Sequence, residues 1–196
     1  MFVKSSKELT KVKTITIIAI LISMSVVCDL LKINIYITQE LKISLSFLFL
    51  SVIGYLFGPV VAAISGASMD ILGYLVNPTG AFMIGFTISK VLEGFVYGIF
   101  LYEKETPLRT FTARLCVNLL INCLINTLWL YIMYGNLENL KFFIRLGKNI
   151  MLLPFEVLAM HFIIKIINKY QLNKIFLDGY NSIRKEYFYY VSKSKS

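Results

Sequence analysis

Histidine, cysteine, tryptophan and acidic side chains are all scarce in this chain, and each shortage removes a class of function. A single histidine, His161, and three cysteines, Cys28, Cys116 and Cys123, without paired ligand spacing argue for neither a metal centre nor a disulfide framework. The chain has no glycine-rich phosphate loop, no HExxH zinc motif and no serine or cysteine nucleophile with a matching base, so no feature supplies catalysis. With 11 Asp and Glu against 20 Lys and Arg the formal charge is +9, a balance that would suit nucleic acid. The placement of the basic residues argues against that partner, because they follow the margins of apolar runs. What is abundant is apolar surface: 57% of the 196 residues are hydrophobic and the mean hydropathy is +0.72. These values describe an all-α integral membrane protein rather than a water-soluble domain.

A membrane helix needs about 20 apolar residues, and six segments qualify in outline: 12–31, 43–58, 60–77, 81–102, 111–134 and 147–169. The second and third are short. The apolar stretch 54–101 divides at Gly58-Pro59 and at Asn77-Pro78-Thr79-Gly80, where proline withdraws a donor and glycine permits a reversal. Small residues recur at one-turn spacing on either side of these breaks: Gly54 and Gly58, Ala62 and Gly66, Ala63 and Ala67, Gly94 and Gly98. That spacing lets helix backbones approach closely in lipid, where no hydrophobic drive brings them together. Asp70, Lys90 and Glu93 interrupt the same stretch. A charge at membrane depth costs roughly 2.5–3.5 kcal/mol on insertion scales, so these side chains are expected to face the protein interior.

Lys4, Lys7, Lys11 and Lys13 precede the first segment, Lys104 and Arg109 separate the fourth from the fifth, and a further basic series runs from Lys165 to Lys195. Opposite them stand only Lys32, Lys42, Lys141, Arg145 and Lys148. The asymmetry puts both termini in the cytoplasm of a multi-pass cell-membrane protein. No small-x-small cleavage site follows the first apolar run, which is read as a retained helix. The organisation expected is a cytoplasmic lead (1–13), a six-helix membrane domain (14–170) and a basic, aromatic cytoplasmic tail (171–196), the latter suited to an anionic lipid leaflet.

With alternating helix directions, Asp70, Thr87, Lys90, Asn122, Asn126, Trp129, Lys148, Asn149 and Glu156 converge on one level in the outer half of the bundle, while Arg114, Asn118 and His161 lie in the inner half. Asn118, Asn122 and Asn126, spaced by four, share one helical face. They serve either as interhelical hydrogen bonds or as the wall of a polar ligand site. Lys90 and Glu93, three apart, are placed to neutralise each other. His161 reads as a satisfied core histidine.

The runs LKISLSFLFLSVIGYLFGP and SGASMDILGYLVNPTGAFMIGFTISKVLEGFVYGIFL, followed by INTLWLYIMYG and RLGKNIMLLPFEV, resemble the folate family of substrate-binding S components of energy-coupling factor (ECF) vitamin transporters. The resemblance spans about residues 15–165. It implies a six-transmembrane-helix bundle of the S-component type that captures a folate-like vitamin from outside. It further implies docking on a transmembrane coupling subunit driven by two ATPases, with ATP used by those partners and no cofactor in this chain. The family's small-x3-small docking motif falls on Ala19 and Ser23. The binding positions implied are Asn126, Trp129, Arg145, Asn149 and Glu156, supported by Asp70 and by Gly85-Phe86-Thr87. Asp29 stands where an arginine is expected, and Phe49 where a proline is. These departures leave as an alternative an S component for a different small vitamin or precursor, and the small-residue faces leave another, a membrane interaction protein in which they serve only assembly.

Overall fold

The structure, a computed structural model, describes residues 1–31, 35–36, 42–43, 45–78, 81–103, 106–135 and 139–170, with backbone alone for 35–36, 42–43, 134 and 139–145. The expected tail from 171 and the Arg145 side chain lie outside the described residues.

The helices run in the order α1 (Phe2–Glu8), α2 (Val12–Leu30), α3 (Ser46–Phe57), α4 (Pro59–Val76), α5 (Ile84–Leu101), α6 (Pro107–Cys116), a π-helical segment (Val117–Ile125), α7 (Asn126–Tyr134) and α8 (Asn139–Lys169). Among the described residues five stretches are long and apolar enough to cross a membrane: Val12–Leu30, Pro59–Val76, Ile84–Leu101, Pro107–Met133 and Leu146–Lys169. The second expected span is the exception. Ile35–Tyr36 and Lys42–Ile43 pair as a short antiparallel ladder, so α3 begins only at Ser46. Its 12 residues reach about 18 Å, short of the ~30 Å hydrocarbon thickness. It is also the most enclosed helix, with Leu50, Ile53 and Phe57 almost fully buried at the centre of the core. A helix apolar all round belongs in such a position.

Small residues set the distance between α4 and α5. A Cβ added at Gly66 would be driven into the Lys90 carbonyl, one at Gly94 into the Ala62 carbonyl, and one at Gly98 into Pro59. These are backbone atoms of the facing helix, which cannot swing aside. The small-x3-small pattern therefore corresponds to a real helix–helix seam.

The expected lead contains a helix of its own. Ser5, fully buried, donates to the Phe57 carbonyl (2.7 Å) and accepts from the Val61 N–H (3.3 Å). Gly58 turns the chain there with φ +84° and has no side chain to offer. Ser5 thus supplies from α1 the cap that the α3–α4 corner lacks, satisfying one end group of each helix. Lys4 pairs with Glu103 beyond the end of α5 and lies over the Tyr102 ring, 5.6 Å from its centroid. The hydrogen bond to Glu103 holds its ammonium above the ordinary lysine range.

Gly94→Leu is expected to abolish recovery of monodisperse protein in detergent, since overpacking by even one methylene costs about 1–3 kcal/mol. Gly73→Ala, which meets nothing within 4 Å, should hold or raise the thermal midpoint in the same size-exclusion stability assay.

Candidate functional site

Two cavities adjoin at the end of the bundle where α2, α4 and α7 finish and α3, α5 and α8 begin. The first, about 520 Å³, is bordered by Asp29, Asp70, Tyr74, Asn77 and Phe82. The second, about 470 Å³, is bordered by Asn122, Asn126, Lys148, Asn149, Arg114 and Glu156. Phe86, Lys90 and Leu130 line both and form the partition between them. Each volume lies within the range of small-molecule sites, roughly 300–1,000 Å³.

The floor of the second cavity is a buried charge cluster. Arg114 on α6 grips Glu156 on α8 with both ends of its fork, Nε to Oε2 at 2.9 Å and Nη2 to Oε1 at 2.7 Å. Its remaining nitrogen reaches the Tyr97 hydroxyl and, at 3.5 Å, Glu93 on α5. Lys90 closes on Glu93 at 2.7 Å, and the Phe47 ring of α3 lies 4.1 Å under the guanidinium carbon. Two cations and two carboxylates therefore cancel, each charge paired at close range. Paired charges of this kind persist at membrane depth, where an isolated one does not.

The polar wall rises from this floor. Asn118 Nδ2 donates to Glu156 Oε2 (2.8 Å) and to the Asn149 carbonyl (3.3 Å). Asn122 donates to Asn118 (3.1 Å), Asn126 donates to Asn122 (3.4 Å), and Asn149 donates to Cys123 Sγ (3.1 Å). In the first cavity, Thr87 donates to Asp70 (2.7 Å), tying α5 to α4, and Ser46 donates to Asp29 (2.7 Å).

The structure thus brings Asn122, Asn126, Asn149 and Glu156 to one chamber, and Asp70, held by Thr87, to its neighbour. Trp129 lines neither. Its indole donates to Ser89 Oγ (3.2 Å) and packs flat on the Cα of Gly85, where any Cβ would collide with the ring. Ala19 and Ser23 are exposed on the outer face of α2, and Ser23 bonds back to the Ala19 carbonyl at 2.8 Å. Lys90 and Glu93 pair as expected. His161 does not match its expectation of a satisfied core histidine: it is only half-buried, and its sealed Nδ1 has no partner among the described residues.

The expectation from sequence leaves Arg114 and Tyr97 outside the converging set. Arg114 was assigned to the inner half and Glu156 to the outer because the fifth and sixth spans were started at 111 and 147. With α6 starting at Pro107 and α8 at Asn139, Glu156 moves to the middle of its helix and Arg114 one turn further into its own, and the two meet. The signal available was simply that two opposite charges in separate apolar helices need each other.

A multi-pass helical membrane protein with a polar, charge-floored chamber at one end is built to receive a small molecule. Residues 13–171 match the family model described as "ECF transporter, substrate-specific component", and the chain belongs to that family, a transporter component and not an enzyme. It is 30% identical over 140 residues to a folate transporter, FolT, of Clostridium novyi (strain NT), covering 70% of this chain and 81% of that one. It is 26% identical over 155 residues to FolT of Leuconostoc mesenteroides, covering 76% and 82%. A crystal structure of FolT bound with folic acid matches with a TM-score of 0.69 at 38% identity, over 78% of this chain and 93% of that one.

Arg114→Leu should cost about 3–5 kcal/mol by stranding Glu156, read as a large drop in thermal midpoint in detergent. Gly85→Ala should displace the only tryptophan and shift its emission maximum without unfolding the bundle.

Proposed function

We propose that this chain is the substrate-capture subunit of an ECF-type vitamin transporter and that its ligand is folate or a related pterin taken from outside. The observation that carries the reading is the 38% identity to the FolT bound with folic acid, extending over 93% of that chain. The chamber chemistry supports it. A pterin offers a flat face and an amide-like edge rich in donors, which suits acceptors such as the Asn126 amide, Glu156 and Asp70. The anionic glutamate tail suits Lys148, which borders the second cavity, with Arg145 the further cation that the resemblance implies. Trp129 takes a supporting place beside Gly85 rather than in the chamber lining.

In this reading α3 is the sixth membrane segment, residues 14–170 form the membrane domain, and both termini are cytoplasmic, with 1–13 as a lead and 171–196 as a tail. The chain docks on a transmembrane coupling subunit through Ala19 and Ser23, whose exposure on α2 supports a docking role, and two partner ATPases consume the ATP. The chain itself uses no cofactor. Asp29, bordering the first cavity where an arginine is expected, favours a second reading: a pterin that is reduced or lacks its anionic tail.

Purified protein titrated with folic acid and 5-formyltetrahydrofolate while following Trp129 emission should show saturable quenching, with calorimetry giving the same stoichiometry. A response to another vitamin alone would keep the family and replace the ligand. Asn149→Ala should weaken binding about tenfold with the fold intact, the worth of roughly one hydrogen bond. Ala19→Trp should leave binding unchanged and abolish uptake in cells carrying the coupling module; normal uptake would overturn the docking assignment.

A further inference from the structure

Lys90 is tied to the charge cluster by one N–H bond and keeps donors to spare. Its ammonium donates to Glu93 at 2.7 Å, its side chain is 33% exposed, and no other hydrogen bond holds it among the described residues. An ammonium has three N–H donors. Glu93 does not depend on Lys90 alone, since the Tyr97 hydroxyl (3.2 Å) and Arg114 (3.5 Å) face its other oxygen. An acceptor in the same condition borders the same cavity. Asp70 accepts from Thr87 through Oδ2, while its Oδ1 takes no hydrogen bond among the described residues and is not sealed. The α4–α5 seam fixes the offset between the two. Gly66 abuts the Lys90 carbonyl; Asp70 follows Gly66 by four residues and Thr87 precedes Lys90 by three, so the charges stand about one helical turn, ~5 Å, apart along the seam. They do not pair with each other. Each is held instead by a neighbour on α5, Lys90 by Glu93 and Asp70 by Thr87.

We infer that Lys90 is a ligand-binding residue that works with Asp70: its ammonium donates to a ring carbonyl oxygen while Asp70 accepts from the N–H beside it, so the first cavity selects a flat ring with an amide edge. This inference rests on the folate reading, in which the pterin carries such an edge. Glu93 is the positioning residue of the pair, because its bond to Nζ sets where the remaining N–H groups point. A carboxylate from the ligand's tail does not suit this point, where Asp70 would stand beside it as a like charge. The cavity also offers the ring a face. Tyr74 and Phe82, with ring centroids 5.0 Å apart, and Phe86 border it, and aromatic surface of this kind packs well on a flat heterocycle. A ring without the carbonyl would leave a desolvated ammonium half-satisfied, which is the strong form of discrimination.

Calorimetric titration with folic acid, and with pteroic acid, which has the same ring system without the glutamate tail, tests the assignment on wild type, Glu93→Gln and Lys90→Met/Glu93→Gln. Glu93→Gln is the baseline, because without the second carboxylate the cluster no longer needs Lys90 for neutrality. Against it, Lys90→Met should weaken folic acid about ten- to hundredfold, the range set by one hydrogen bond from a charged group, and pteroic acid by the same factor. A lysine that served only to neutralise Glu93 would cost nothing once Glu93→Gln is in place, and that result would overturn the assignment. A loss confined to folic acid would put the tail at Lys90 and overturn the ring-edge reading. Lys90→Met alone strands a carboxylate and is open to misfolding; the double variant keeps Arg114 paired with Glu156 and no charge unbalanced, so its thermal midpoint should equal or exceed that of Glu93→Gln. Wild-type protein that fails to bind folic acid would overturn the folate reading and this inference with it. Wild-type binding, with equal affinities in Glu93→Gln and the double variant, would overturn this inference alone.

Discussion

A guanidinium enclosed near the middle of an apolar bundle must be met by other charges, and the arrangement around Arg114 follows from that requirement. Glu156 comes from α8, Glu93 and Tyr97 from α5, and the Phe47 ring from α3. Four elements are thereby held to one point. Because Lys90 balances the second carboxylate, the cluster is neutral as a whole while every member stays directionally bonded. Such a group contributes less to net stability than to uniqueness of arrangement, since each alternative packing would strand a charge. It also decides where the chamber ends, for the second cavity opens directly above it.

The bundle divides its labour by side-chain size. Along the α4–α5 seam, glycine and alanine let backbones touch and leave no room for a ligand. The cavities lie beyond this tight crossing, the first bordered by the later residues of α4 and the first turns of α5, the second by α5 and by residues from Arg114 to Glu156. The partition residues Phe86, Lys90 and Leu130 let one elongated molecule contact both chambers, the first edged by Asp29 and Asp70, the second by amides and by Lys148. At the opposite end, α1 secures the α3–α4 corner through Ser5, so the short central helix is anchored at its end remote from the cavities.

Much of this was legible from residue pattern. The small-x3-small pairs named the α4–α5 seam, the spacing of Asn118, Asn122 and Asn126 named a polar face, and Lys90 with Glu93 named a pair, because each depends only on helical periodicity. Depth was less legible. Placing Arg114 and Glu156 required true helix starts, and those were decided by Pro107 at the head of α6 and by an α8 that begins at Asn139, neither marked by a change in hydropathy. The shortness of α3 was hidden for a related reason: Ile43 is apolar enough to extend a helix but is drawn, with Lys42, into a ladder with 35–36. Trp129 was expected at the ligand from the resemblance and from its depth. Its orientation instead follows from the gap at Gly85 and the hydroxyl of Ser89, both on another helix.

Composition and periodicity by themselves determined that this chain is a helical membrane protein, which faces of its helices pack closely, and which polar residues must be sheltered, since lipid penalises every unpaired charge wherever it falls. Tertiary structure alone decided which sheltered group meets which. Arg114 and Glu156 are 42 residues apart, and nothing local to either chooses its partner. The direction of the asparagine hydrogen bonds was decided there too: an amide can point either way along a helix until something fixed, here a carboxylate from α8, stands at one end.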